Sequence, residues 1–182
     1  MTADKSNSDN TKPSGADPMS DLRLGAARKR LAESKDQEDA IEGLREIVAN
    51  FLGSEEMGLF QVDRRTATFP VFWSFGSDLE KYDLLGALGD AGLQRVMRGE
   101  CHVDFAEGHR SGAEPMAQAF VPIRIAGQTM AILAILRLLP QKAAFDRSDT
   151  ELFKLLSDEA GKPLFELSAH STQRTERPGI RA

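Results

Sequence analysis

Few side chains in this sequence of 182 residues are suited to chemistry, and most of them fall in one short stretch. Cys101 is the single cysteine, and its neighbour His102 is an imidazole that could lower its pKa and favour the thiolate. A lone cysteine at the start of a strand is more commonly a small apolar core residue. One thiol excludes an internal disulfide framework and a multi-cysteine zinc or iron–sulfur centre, and it fits a reducing cytoplasm. His102 and Asp104 stand two apart, a strand spacing that can chelate, and Glu107, His109 and Glu114 follow on the next loop. Scattered imidazoles and acids are the commoner outcome, so no metal site is assigned. Gly108 to Gly112 forms neither a Walker nor a Rossmann fingerprint, and no Ser-His-Asp order or carboxylate dyad stands in motif context. The chain is therefore read as non-catalytic. The only tryptophan, Trp73, and the only tyrosine, Tyr82, each join an apolar body to a polar handle, the kind of side chain that lines ligand pockets.

Hydrophobic residues make up 41% of the chain and charged residues 28%, which points to a globular domain. The net charge of −5 gives no electrostatic reason to bind nucleic acid or an anionic membrane. Residues 1–20 are polar with almost no apolar side chains and read as a disordered tail. No stretch has the roughly 18 uninterrupted apolar residues of a membrane helix. Residues 21–36 read as a short helix or linker whose basic run, Arg23 with Arg28, Lys29 and Arg30, is a solvated face neutralised by Glu33, Asp36, Glu38 and Asp39. Ser34 and Gln37 have capping-box spacing before an apolar stripe from Ile41 to Leu52, and Gly53 is placed to stop that helix.

After Gly53 the period changes to that of strands. Met57 to Val62 and Phe69 to Phe75 read as a hairpin. A helical region interrupted by Gly86, Gly89 and Gly92 follows, then a short strand from Cys101 to Phe105 and a polar loop over 106–115. The clearest β pattern is the pair 117–125 and 128–138 around the turn Ala126-Gly127. Its second run is apolar on both faces, as in a central strand, and Pro122 in the first removes one ladder hydrogen bond. Asp146 with Asp149 caps a last amphipathic helix through Leu152, Phe153, Leu155 and Leu156, which Gly161 and Pro163 should end or kink. Residues 169–182 read as a second disordered tail.

The segment Phe120-Val121-Pro122-Ile123-Arg124-Ile125-Ala126-Gly127, the strand Met130-Ala131-Ile132-Leu133-Ala134-Ile135 and the entry Phe145-Asp146-Arg147-Ser148-Asp149 into Leu152 together resemble a GAF domain covering about residues 37–168. They are similar to that family's Val-Pro hairpin, its apolar central strand and its Phe-x3-Asp helix entry. The resemblance implies an α+β fold of the GAF/PAS type. A central antiparallel sheet of about six strands would carry the terminal helices on one face and a pocket on the other. The pocket would be lined by Trp73, Phe75, Tyr82, Leu85, His102, Asp104, Phe105 and Val121, with core packing the better explanation for Phe72 and Phe75. Such terminal helices commonly build a homodimer.

The family's chemistries match this chain poorly. GAF proteins that reduce free methionine sulfoxide use a nucleophilic thiolate and resolving cysteines, whereas Cys101 is alone. Cys101-His102 is similar to the bilin-bearing pair of phytochrome-like GAF domains but sits in a strand-like setting after Arg98-Gly99-Glu100. Of the cyclic-nucleotide signature Phe145 and Asp149 are present, while Thr150 and Gln141-Lys142 depart from it. No cofactor is expected. The resemblance thus implies a non-catalytic signalling module of a bacterial-type system, cytoplasmic, acting on a protein partner and sensing a small-molecule ligand. The alternatives are a purely structural dimerising adaptor with a collapsed pocket and a redox sensor through Cys101.

Overall fold

The computed structural model of the chain describes residues 18–103, 119–142 and 144–172, the last five by backbone alone. Its elements run α1 (Pro18–Ala32), α2 (Gln37–Ile47), a π-helical turn (Val48–Leu52), β1 (Met57–Gln61), β2 (Val71–Phe75), α3 (Leu84–Met97), β3 (His102–Val103), β4 (Ala119–Ile125), β5 (Gln128–Ile135), α4 (Arg147–Glu159) and α5 (Gly161–Thr172). The strands form one antiparallel sheet in the order β2-β1-β5-β4-β3, five strands where about six were expected.

β5 occupies the centre because its residues are apolar on both sides. It joins β4 through Ala126 and Gly127, both with positive φ (48° and 81°), the conformation of a two-residue hairpin turn that matches the twist of its strands. Alternation then sorts the interior into two cores. Met57, Leu59, Ala119, Val121, Ile123, Ala131, Leu133 and Ile135 face the helices α1, α2, α4 and α5. Phe60, Phe120, Ile132, Ala134 and Leu136 face Leu84, Leu88 and Val96 of α3. Burying a side chain of this size stabilises the fold by about 1.5–3 kcal/mol.

Helix ends follow local chemistry. Asp36, not Ser34, caps α2 by accepting the Asp39 backbone N–H at 2.9 Å, and Gln37 instead donates to the Leu164 carbonyl at 2.8 Å. Gly53 stops the helical run in the left-handed region, as its sequence position suggested. At α4 the Asp146 side chain takes the Asp149 N–H at 3.0 Å, and Asp149 takes the Asp146 N–H at 2.8 Å. The chain then turns into α5 at Gly161, packed so close to β4 that any Cβ there would run into the Arg124 carbonyl oxygen. α3 bends at Gly89, whose φ of 61° and ψ of 173° are not helical.

α1 differs most from expectation. It begins at Pro18, inside the expected tail, and buries Ala27 and Leu31 in the main core. Its arginines are not a solvated face neutralised by nearby acids alone. Arg30 does pair with Asp39 and Glu46 (2.9 and 2.7 Å), but Arg28 reaches Glu159 on α4 at 2.9 Å and Arg23 reaches Asp149 at 3.0 Å. Meanwhile Met19 and Leu22 point outward, 63% and 67% exposed. Apolar contacts through Ala27 and Leu31 and these long-range ion pairs together hold the helix to the domain.

Candidate functional site

The eight residues expected to line one pocket are divided by the sheet. Trp73 pairs with Leu59, Leu59 with Leu133, and Leu133 with Val121, so Trp73 and Val121 share the face covered by the terminal helices. Phe75 pairs with Met57 on that same face. A bulge between Leu59 and Phe60 leaves Phe72 as an extra residue, which turns Phe72 and Trp73 to the same side. Phe72 packs against Phe165 of α5 at 5.9 Å between ring centroids. Trp73 stacks on Phe75 at 6.4 Å and 9°, and the Arg45 guanidinium lies 4.9 Å over the Phe75 ring. The expectation of a single pocket is corrected for Trp73, Phe75 and Val121: they belong to the helical side.

Tyr82, Leu85 and His102 belong to the other side or its rim. Tyr82 lies 5.8 Å from the Phe60 ring and His102 6.1 Å from Phe120. The imidazole is packed beneath α3, its Cε1 3.5 Å from where a Cβ on Gly92 would stand, and its Nδ1 is buried without a hydrogen-bond partner. Leu85 sits on α3 and is 46% exposed. Asp104 and Phe105 lie outside the described residues, as do Glu107, His109 and Glu114. Among the described residues no group of three His, Cys, Asp or Glu side chains could hold a metal ion.

Cys101 and His102 are adjacent in sequence but lie against different cores. Cys101 packs with the helical side while the His102 ring lies over Phe120. Burial, with a smaller contribution from the carboxylate of Asp158, pushes the Cys101 thiol up to about 11. That is the environment of an inert structural thiol, because the reactive form is the thiolate.

One charged cluster was missed by sequence reasoning. Asp149 is completely buried and accepts from Arg23 Nη2 at 3.0 Å and Lys142 Nζ at 2.8 Å. Arg23 also donates to the Ser148 hydroxyl at 2.6 Å and to the Phe51 carbonyl. Phe145 meets Phe153 edge-on at 5.0 Å. Of the positions matching the cyclic-nucleotide signature, Asp149 ties α1 to α4 through Arg23, while Phe145 packs on Phe153 of α4. Asp149 was legible as a cap, but nothing local signals a partner 126 residues away.

A groove of about 390 Å³ lies where the end of α1 meets the α4–α5 junction, lined by Leu31, Ala32, Pro163 and charged side chains. Its Arg28 and Asp158 are already engaged, with Glu159 and with Arg124 at 3.2 Å. No helix among the described residues is long and apolar enough to cross a membrane.

No protein-family model matches the chain, and no curated protein does. Solved structures match it well. The GAF domain of a phosphoenolpyruvate-protein phosphotransferase from Coxiella burnetii has a TM-score of 0.59 at 18% identity, over 85% of this chain and 95% of that one. The corresponding Acinetobacter domain has a TM-score of 0.57 at 20% identity, over 88% and 99%. The free methionine-R-sulfoxide reductase of Neisseria meningitidis, an enzyme, gives 0.59 at 18% identity, over 86% and 96%. At these identities the likeness is one of architecture, on which regulatory domains and an enzyme both occur. The five-stranded antiparallel sheet with terminal helices on one face and α3 on the other is the GAF fold, and this chain has it.

Proposed function

We propose that the chain is a non-catalytic regulatory module that binds a small molecule on the α3 side of its sheet and signals to a protein partner. The observation that carries this reading is the separation of its chemistry. Among the described residues, the α3 side offers the imidazole of His102 and the ring of Tyr82 over an apolar floor. The only thiol lies against the opposite core with its pKa raised to about 11. A buried imidazole nitrogen without a partner suits a ligand that brings its own hydrogen-bond donor. The GAF domains of phosphotransferases and of a potassium sensor kinase supply the analogy for a signalling role.

The test is a thermal-shift screen with nucleotides, free amino acids and metal ions, together with a methionine sulfoxide turnover assay. A ligand at 100 times its Kd stabilises by about 2.7 kcal/mol, which for a domain of this size raises Tm by about 5 °C or more. The shift should vanish in Tyr82→Ala and His102→Ala and persist in Cys101→Ser. Turnover of methionine sulfoxide would overturn the non-catalytic reading, and the absence of any shift would leave a structural adaptor.

A further inference from the structure

β2 is an outer strand of the sheet: it pairs with β1 on one side and, among the described residues, with no strand on the other. Such an edge presents unpaired backbone groups, and proteins usually blunt it with charges. This one is not blunted in that way. In a chain that is 28% charged, no residue from Thr66 to Ser77 carries a charge. Val71, Phe72, Trp73 and Ser74 are half-buried and Phe75 is 38% exposed, so an aromatic strip flanks the open edge.

The charges resume at both ends with opposite sign. Before β2 stand Arg64 and Arg65, both exposed, Arg64 also donating to the Thr129 carbonyl at 3.3 Å, against Asp63, whose carboxylate is turned onto the backbone N–H groups of Arg65 and Thr66 (2.9 and 3.3 Å). Beyond its other end stand Glu55, Asp78 and Glu80, all exposed, against Lys81. Glu55 is at that end because β1 begins opposite Phe75, and a Cβ on Gly76 would meet the Glu55 carbonyl. An uncharged strand with a basic start and an acidic finish is self-complementary when two copies run antiparallel.

We propose that β2 is a docking edge whose occupant is β2 of a second copy, paired antiparallel about Trp73. Each chain's Arg64 and Arg65 then face the partner's Asp78 and Glu80, and two five-stranded sheets become one. The interface uses backbone hydrogen bonds for strength and end charges for register. It is distinct from the ligand site proposed above, and its test needs no ligand.

Sedimentation equilibrium of the full chain should show a dimer. Arg64→Glu/Arg65→Glu and Asp78→Lys/Glu80→Lys, each alone, should weaken it about tenfold or more by placing like charges together, while their equimolar mixture restores it. The residues are exposed, and a single cooperative thermal transition in each variant confirms that it is folded. Trp73, the only tryptophan, lies at the centre, and its fluorescence should change on dilution through the dissociation range. A chain that stays monomeric overturns the proposal. So does a dimer that ignores both charge variants but is dissociated by Leu22→Glu on the outer face of α1, or a monomer that instead takes up unrelated extended peptides at β2.

Discussion

At the residue scale, a thiol titrating near 11 leaves only about one part in ten thousand as thiolate at neutral pH. Cys101 in the native chain should therefore react slowly with iodoacetamide at pH 7, and the rate should climb about tenfold per pH unit toward 11, whereas the urea-unfolded chain levels off near 9. Fast native alkylation at pH 7 would contradict this environment and revive the redox reading. Linkage has a definite sign here. Because the folded pKa is raised, the thiol's contribution to stability is complete below about pH 9 and is lost as pH rises toward 11. The sequence showed Cys101 beside His102 but not that their side chains pack against different cores. Nor did it show the bulge at Phe72, since a one-residue insertion in a strand reverses facing without altering composition. The bulge is why Phe72 joins Trp73 on the helical side, whereas Val121 lies there through the β4–β5 register.

At the scale of elements, the helix α4 was legible because its signals are local: Asp146 and Asp149 three apart, then an apolar stripe. β5 was legible for a similar reason, its run of residues apolar on both faces. α1 was legible as a short helix, but its attachment to α4 was not, because those ion pairs are long-range. Asp149 receives Arg23 from α1 and Lys142 from the preceding loop within a fully buried site. Removing that carboxylate leaves two cations without a counter-charge and the Asp146 N–H without its acceptor. Asp149→Ala should cost about 3–5 kcal/mol in urea unfolding. Asp149→Asn, which keeps an acceptor for the cap, should cost less. Equal stability of the wild type and Asp149→Ala would show that the cluster contributes nothing net.

At the scale of the whole molecule, four carboxylates among the described residues are held below their ordinary values. Asp39 is lowered first by the Lys35 backbone N–H and then by Arg30, Glu42 by Arg45, Asp63 by the Thr66 side chain, and Asp146 by the Ser148 hydroxyl. A depressed folded pKa contributes stability that is present above the unfolded value, about 4, and lost as pH falls through the folded one. Urea midpoints should be level from about pH 5 to 8 and drop below about pH 4. A midpoint that rises on acidification would contradict these assignments.

The same scale gives the central strand its meaning. Ala131, Leu133 and Ile135 pack with the terminal helices, while Ile132, Ala134 and Leu136 pack with α3. The two interiors meet along β5 through a single thickness of polypeptide. A substitution that changes the volume of one compartment therefore bears on a wall that the other compartment also packs against.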